Sequence, residues 1–375
     1  MFIKKGILIF IPSLVFLVSC NNNDQIIKNE ENISVSSTQE DLYQIKQPVK
    51  FNVSRGLILN NIDNSLDINN IEMELMQLST KYFPVDKYTF QEGQYLDKTI
   101  INQWLERKGN DAPSGLNPPK NETGDVLKDE QDNPKILSHV LEQNFLNKNG
   151  KIKGISLAIS LNEFYNIQVA DKKGLIHTDE VKVDVNNDDV NDVEKYGKEI
   201  TNKIIKDIRN NKDIPDVPIF LTLYQETHEN NIIPGMFLAE TFIPKGQNQI
   251  SKWTNIDKRY YAFPSNSLSE LDRISSNNLT NFKEDIQKYF KNLNPKVFGR
   301  LLYKTDQLTN LKIDVSTPTI TDVELIALLQ FISTRINSLS SDYTPITVSI
   351  IDEKQTVGIV TWDPTKKEIY THAIQ

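Results

Sequence analysis

The chain has one cysteine, Cys20, in 375 residues. No disulfide can form within it, and the body has neither a thiol nucleophile nor a Cys/His metal site. Histidine is scarce as well. His139, His177, His228 and His372 stand singly, with no H-x-x-H or H-E-x-x-H spacing for zinc. The sequence lacks a G-x-S-x-G turn for a nucleophilic serine and a G-x-x-x-x-G-K-[ST] loop for phosphates. Acidic residues are plentiful, but no spacing selects a carboxylate pair. The chain thus reads as a non-enzyme without cofactor or metal; a cell-envelope hydrolase using carboxylates is the alternative of the catalytic class.

Positive charge is in the minority. Lys and Arg number 42 against 50 Asp and Glu, for a net charge of −8 at pH 7. An acidic body is repelled by nucleic acid and by anionic lipid, so neither is an expected partner of it. Hydrophobic residues make up 38%, at the low end for a globular protein yet enough for a core. The apolar run Ile7–Val18 is interrupted by Pro12 and Ser13. It falls short of the ~20 residues that span a bilayer as a stable helix.

That run does have the order of a secretory signal. Lys4-Lys5 precede it, and a small residue, Ser19, precedes the expected cut. Leu17-Val18-Ser19-Cys20 matches the bacterial lipobox. There the cysteine thiol is diacylated, the bond between Ser19 and Cys20 is cut, and Cys20 becomes the new N-terminus. Each buried CH₂ contributes ~0.8 kcal/mol, so two acyl chains anchor stably where one exchanges. The expected partners are the lipid bilayer, through diacylglyceryl-Cys20, and the lipoprotein maturation enzymes. Loss of Lys4 and Lys5 leaves the body more acidic still. The alternative is a lone buried cysteine behind an ordinary secretory signal.

The expected organisation is a signal peptide over 1–19, a flexible tether over 20–46 and a mostly helical region over 47–150. A first α+β unit follows over 151–244, then a connecting aromatic segment over 245–296 and a second α+β unit over 297–375. Residues 21–46 are polar and acidic with no apolar period, as in a tether. Ile68, Ile71, Leu75, Leu78 and Tyr82 stand at helical spacing, and Asp97 is an N-cap candidate before Ile100, Ile101, Trp104 and Leu105. Residues 109–134 read as a flexible surface loop. Ile136, Val140, Leu141 and Phe145 read as a short amphipathic helix carrying His139.

The two units read as a duplication. Val181–Glu194 (VKVDVNNDDVNDVE) and Leu311–Glu324 (LKIDVSTPTITDVE) match without a gap, with six of fourteen positions identical. A glycine-bearing apolar strand precedes each match, at Gly154 and Gly299. An amphipathic helix follows each: Val193, Ile200, Ile204 and Ile208 in one, Val323, Ile326, Ile332 and Ile336 in the other. Strands around Val217–Leu221 and Met236–Leu238 then correspond to strands around Thr344–Val348 and Val357–Val360. The expected fold class is α+β: two β-β-α-β-β units with mixed or antiparallel sheets, after an N-terminal helical region. Residues 366–374 read as a closing strand.

Asp184-Val185-Asn186-Asn187-Asp188 resembles the start of a calcium loop, but Asp189 stands where the turn needs glycine and Lys195 where a bidentate glutamate belongs. A β-to-α loop is the plainer reading, with Asp192 and Asp322 near the positive ends of helices. Trp253, Tyr260, Tyr261 and Phe263 form an aromatic cluster that is either a ligand-binding surface or packing between the units.

The lipobox, Gly115-Leu116-Asn117-Pro118, Leu137–Gln143, Ser251-Lys252-Trp253, Tyr260–Ser265 and Leu311-Lys312-Ile313 together resemble the CamS family of sex pheromone lipoproteins of Gram-positive bacteria. The resemblance covers nearly all of the mature body. It implies that the tail of the signal peptide is cut free, trimmed and exported as a hydrophobic peptide. Enterococcal cells carrying a conjugative plasmid sense such a peptide through a pheromone receptor and mate. The matching positions are Ser13, Leu14, Val15, Phe16, Leu17, Val18 and Ser19. The expectation is a protein lipid-anchored on the extracytoplasmic face of the cell membrane, with an extracellular peptide product. The alternative is an extracytoplasmic lipoprotein that binds a ligand or envelope partner and has no signalling role.

Overall fold

The computed structural model describes residues 42–183, 192–339 and 343–374. Residues 42–146 form β1 (Gln44–Ile45), α1 (Arg55–Asn61), α2 (Ser65–Ser79), β2 (Thr89–Glu92), α3 (Lys98–Leu105), α4 (Val126–Gln131) and β3 (Leu137–Leu146). Next come β4 (Ile152–Leu161), β5 (Phe164–Ala170), β6 (Ile176–Lys182), α5 (Asp192–Asn210), β7 (Ile219–Gln225) and β8 (Met236–Ile243). The remainder is β9 (Thr254–Asn255), β10 (Lys258–Phe263), α6 (Asn266–Leu271), α7 (Arg273–Tyr289), β11 (Lys296–Lys304), β12 (Gln307–Thr317), α8 (Asp322–Arg335), β13 (Ile346–Asp352), β14 (Gln355–Asp363) and β15 (Glu368–Ala373).

The helices start where their caps allow. The Asp97 side chain accepts from Ile100 N at 2.9 Å, and Asn64 accepts from Leu66 N at 2.8 Å. Thr321 and Glu324 close a reciprocal capping box on α8. In α5, Val193, Ile200, Ile204 and Ile208 are buried along one stripe. In α8 the stripe is Leu325, Leu328, Leu329 and Ile332, continued by Ile336, so Val323 and Ile326 face outward, contrary to the sequence reading.

The fold is α+β with two mixed sheets. The first runs β1-β2-β3-β4-β7-β8-β9 and the second β10-β11-β12-β13-β14-β15. The central pair of each, β4–β7 and β12–β13, is parallel and joined by a helix. The flanking pairs from β2 to β9, and all others in the second sheet, are antiparallel. Ile155 N donates to Pro218 O at 3.1 Å, and Leu311 N donates to Pro345 O at the same distance. The strand that corresponds to Leu311–Val315 is therefore Ile155–Ile159. Val181-Lys182, its expected counterpart, closes a separate two-stranded β5–β6 arm.

Helices cover both faces of the first sheet. Ile71 and Leu75 of α2 join Phe83, Phe145, Phe220 and Tyr224 on one face. Ile101, Trp104 and the α5 stripe join Leu157, Ile159, Leu221 and Leu223 on the other. The second sheet is covered on one face, by α6, α7 and α8. There Ile313 and Val315 are buried and Lys312 is exposed, the alternation of a half-wet strand.

Several sequence boundaries move. Residues 136–145 are not a helix but β3 and its lead-in, buried at all ten strand positions. A strand enclosed on both faces shows no period of two, which is why its apolar spacing passed for helical. The tether ends before Lys46: Tyr43 is buried and Lys46 N donates to Phe90 O at 2.9 Å. The 47–150 region supplies β2 and β3 to the same sheet as β4, so the boundary at 150 falls inside a hairpin. The connecting segment is divided, β9 joining the first sheet and β10 the second. The loop over 109–134 contains α4.

Candidate functional site

β4 and β7 run parallel, and Leu161 lies opposite Gln225 at their carboxyl ends. The crevice outside such ends is the common ligand position in open α/β sheets. Here the chain inserts the β5–β6 arm between β4 and α5. Tyr165 OH donates to Glu130 Oε2 at 3.1 Å, and Gln131 Nε2 donates to Asp179 Oδ2 at 2.5 Å, tying the arm to α4. On its other side Asn166 Nδ2 donates to Asp63 Oδ2 at 2.6 Å, and His228 Nε2 lies 3.2 Å from Glu180 Oε2.

A cleft of about 700 Å³ lies between the arm and the end of the sheet. Its floor includes Leu137, Ser138 and Asn162. Phe164, Tyr165, Gln168 and Thr178 line the arm side, and Asn60, Asn61 and Asp63 the α1 side. Asn61 Nδ2 is buried and has no partner among the described residues. Lys135 also lines the cleft, and burial holds its amine below the ordinary lysine range. No carboxylate lies within ion-pair distance of it among the described residues.

Under the floor the Ser138 hydroxyl donates to the Glu226 carboxyl. Burial pushes that carboxyl up to about 8, against the pull of Ser138. Glu226 is thus largely protonated at neutral pH. Nearby, Asp67 accepts from Tyr224 OH at 2.7 Å, Gly235 N at 2.6 Å and Thr227 N at 2.8 Å. Burial pushes its carboxyl up too, opposed by these three donors. Gly235 is required there, because a Cβ at that position falls 2.0 Å from Gln225 O. Beside the cleft, Arg107, Lys120 at 3.2 Å and Tyr165 converge on Glu130. They hold its carboxylate low although burial works against it. His139 is buried on β3, and burial lowers its ring to about 4. The cleft therefore offers amides, hydroxyls, two aromatic rings and few free charges, a set suited to holding a polar ligand.

The residues singled out in the sequence lie elsewhere. Ser13 to Cys20 and the Asp184–Asp189 stretch fall outside the described residues. Trp253 packs against the core under α3 and α5, with Lys198 Nζ 5.9 Å from its ring. Tyr260 OH donates to Asn70 Oδ1 at 3.2 Å, while Tyr261 meets Tyr303 edge-on at 5.4 Å. Phe263 is buried in the second core. These four rings do not line the cleft. Sequence reasoning missed Ser138, Asp67 and Glu226; the one local signal was a charged residue, Glu226, three residues beyond the mostly apolar Ile219–Leu223 run.

The comparisons agree with this architecture. No curated protein matches the chain. A crystal structure of a sex pheromone precursor from Lactobacillus salivarius subsp. salivarius matches at 25% identity and a TM-score of 0.78, covering 90% of this chain and 98% of that one. The C-terminal domain of the sex pheromone staph-cAM373 precursor from Staphylococcus aureus matches at 26% identity and a TM-score of 0.68, covering 84% and 98% respectively. Residues 50–368 match the family described as CamS sex pheromone cAM373 precursor, so this chain belongs to the CamS family.

Proposed function

We propose that this chain is a lipid-anchored extracytoplasmic precursor of a peptide sex pheromone. Cleavage before Cys20 leaves the body held at the membrane by a diacylated thiol. The signal-peptide tail, Ser13 to Ser19, is released as a hydrophobic peptide that triggers conjugative plasmid transfer through a receptor in the responding cell. The observation that carries this reading is the family match over residues 50–368, downstream of the lipobox at Leu17–Cys20. A pheromone acts outside the cell that makes it, which supports an extracytoplasmic location. Among the described residues no helix is long and apolar enough to cross a membrane. In this reading the acyl chains on Cys20 are the anchor, and the body is not an enzyme.

A second role, ligand binding by the body, is favoured by the cleft beneath the β5–β6 arm. It is compatible with the first, because the two roles use different parts of the chain. The signalling role is tested by adding a synthetic Ser13–Ser19 peptide to plasmid-bearing enterococcal cells. Transfer frequency rises with peptide dose, and a scrambled peptide has no effect. Equal transfer with both peptides sinks the signalling role.

A further inference from the structure

We propose that the cleft beneath the β5–β6 arm binds a short uncharged glycan, its hydroxyl and acetamido groups held by side-chain amides. The volume of about 700 Å³ lies within the range of small-ligand sites, roughly 300–1,000 Å³. The carboxylates around it are already engaged: Asp63 by Asn166, Asp179 by Gln131 and Glu180 by His228. Lys135 is the cation on the lining, set against those three carboxylates, so an anionic ligand is disfavoured. A cationic ligand would have to displace donors already in place.

What is left free is neutral and polar. The buried Asn61 Nδ2 has no acceptor among the described residues, and a buried donor without a partner is costly until a ligand oxygen supplies one. The Gln168 amide projects from the arm with no hydrogen bond among the described residues, and Thr178 adds a hydroxyl beside it. An amide both donates and accepts, so it can engage two neighbouring hydroxyls of one sugar ring. Phe164 and Tyr165 supply apolar ring surface for the C–H faces of a pyranose. Ties on both sides of the arm keep these walls in place, which limits the ordering cost of binding. The site stands or falls independently of what becomes of the signal peptide.

The test is titration calorimetry on the full-length protein in a non-glycosidic detergent, using N,N′-diacetylchitobiose, cellobiose, and the dianion succinate as a charged control. The expected result is saturable one-to-one binding of at least one disaccharide and none of succinate. Asn61→Ala and Gln168→Ala each weaken it at least tenfold, with the melting temperature unchanged. Gln168 is exposed on the arm, so its variant remains informative if Asn61→Ala fails to fold. Absence of binding by either disaccharide, or binding that both variants leave intact, overturns the proposal.

Discussion

The Tyr224 hydroxyl donates to Asp67 Oδ1 at 2.7 Å, joining the end of β7 to the first turn of α2 across 157 residues of chain. The same carboxylate accepts the backbone N–H groups of Thr227 and Gly235, so one side chain fixes both ends of the β7–β8 connection. Asp67→Ala leaves three donors without this acceptor, two of them buried. The expected loss of stability is about 3 kcal/mol or more, read by urea denaturation. Asp67→Asn keeps one acceptor oxygen and loses less.

Two of the buried titrating groups near the cleft, Glu226 and His139, pull stability in opposite directions with pH. Glu226 is raised from 4.5 to about 8, so the folded state holds its proton more tightly and stability falls as pH rises from 4.5 to 8. His139 is lowered from 6.5 to about 4, so stability falls as pH drops from 6.5 to 4. Their contributions cancel between about 4.5 and 6.5 and leave a net decline from 6.5 to 8. At about 1.36 kcal/mol per pKa unit, each contribution is of the order of a few kcal/mol. Glu226→Gln removes the decline above 6.5 in denaturation curves taken across pH. An undiminished decline assigns it to another group.

A Cβ added at Gly154 falls 2.0 Å from Cε1 of Phe83, whose ring is stacked on Phe145 with centroids 4.6 Å apart. At Gly299 the nearest atom, Phe263 Cβ, is 3.1 Å away. Gly154→Ala should therefore cost about 3 kcal/mol and Gly299→Ala clearly less. Thermal denaturation of the two variants side by side checks the order.

Glu130 is buried beneath Arg107, Lys120 and Tyr165. Glu130→Ala strands the Arg107 charge and removes one of the two ties between α4 and the β5–β6 arm, leaving the Gln131–Asp179 bond. The expected cost is about 3–5 kcal/mol. Hydrogen exchange should rise first in β5 and β6, ahead of the central strands.

The legible parts of the fold were those with local periodicity. The α5 stripe, the Asp97 cap and the Ile313–Val315 alternation follow from spacing along a few turns or pleats. β3 was not legible, because burial on both faces erases the period. The internal match placed the helix starts Asp192 and Asp322 in register, but the β5–β6 arm separates α5 from its strand. The same offset therefore paired Leu311 with Val181 instead of Ile155. The cleft was hidden for a related reason. Ser138 and Glu226 are 88 residues apart and meet only when β3 and β7 join one sheet, so no motif could announce them.

The most direct test of the precursor account is mass spectrometry of membrane and medium from cells expressing the wild type or Cys20→Ala. The account predicts a diacylated Cys20 N-terminus at the membrane and a Ser13–Ser19 peptide in the medium, with both absent in the variant. A lipidated Cys20 without that peptide, or the peptide persisting in the variant, would contradict it.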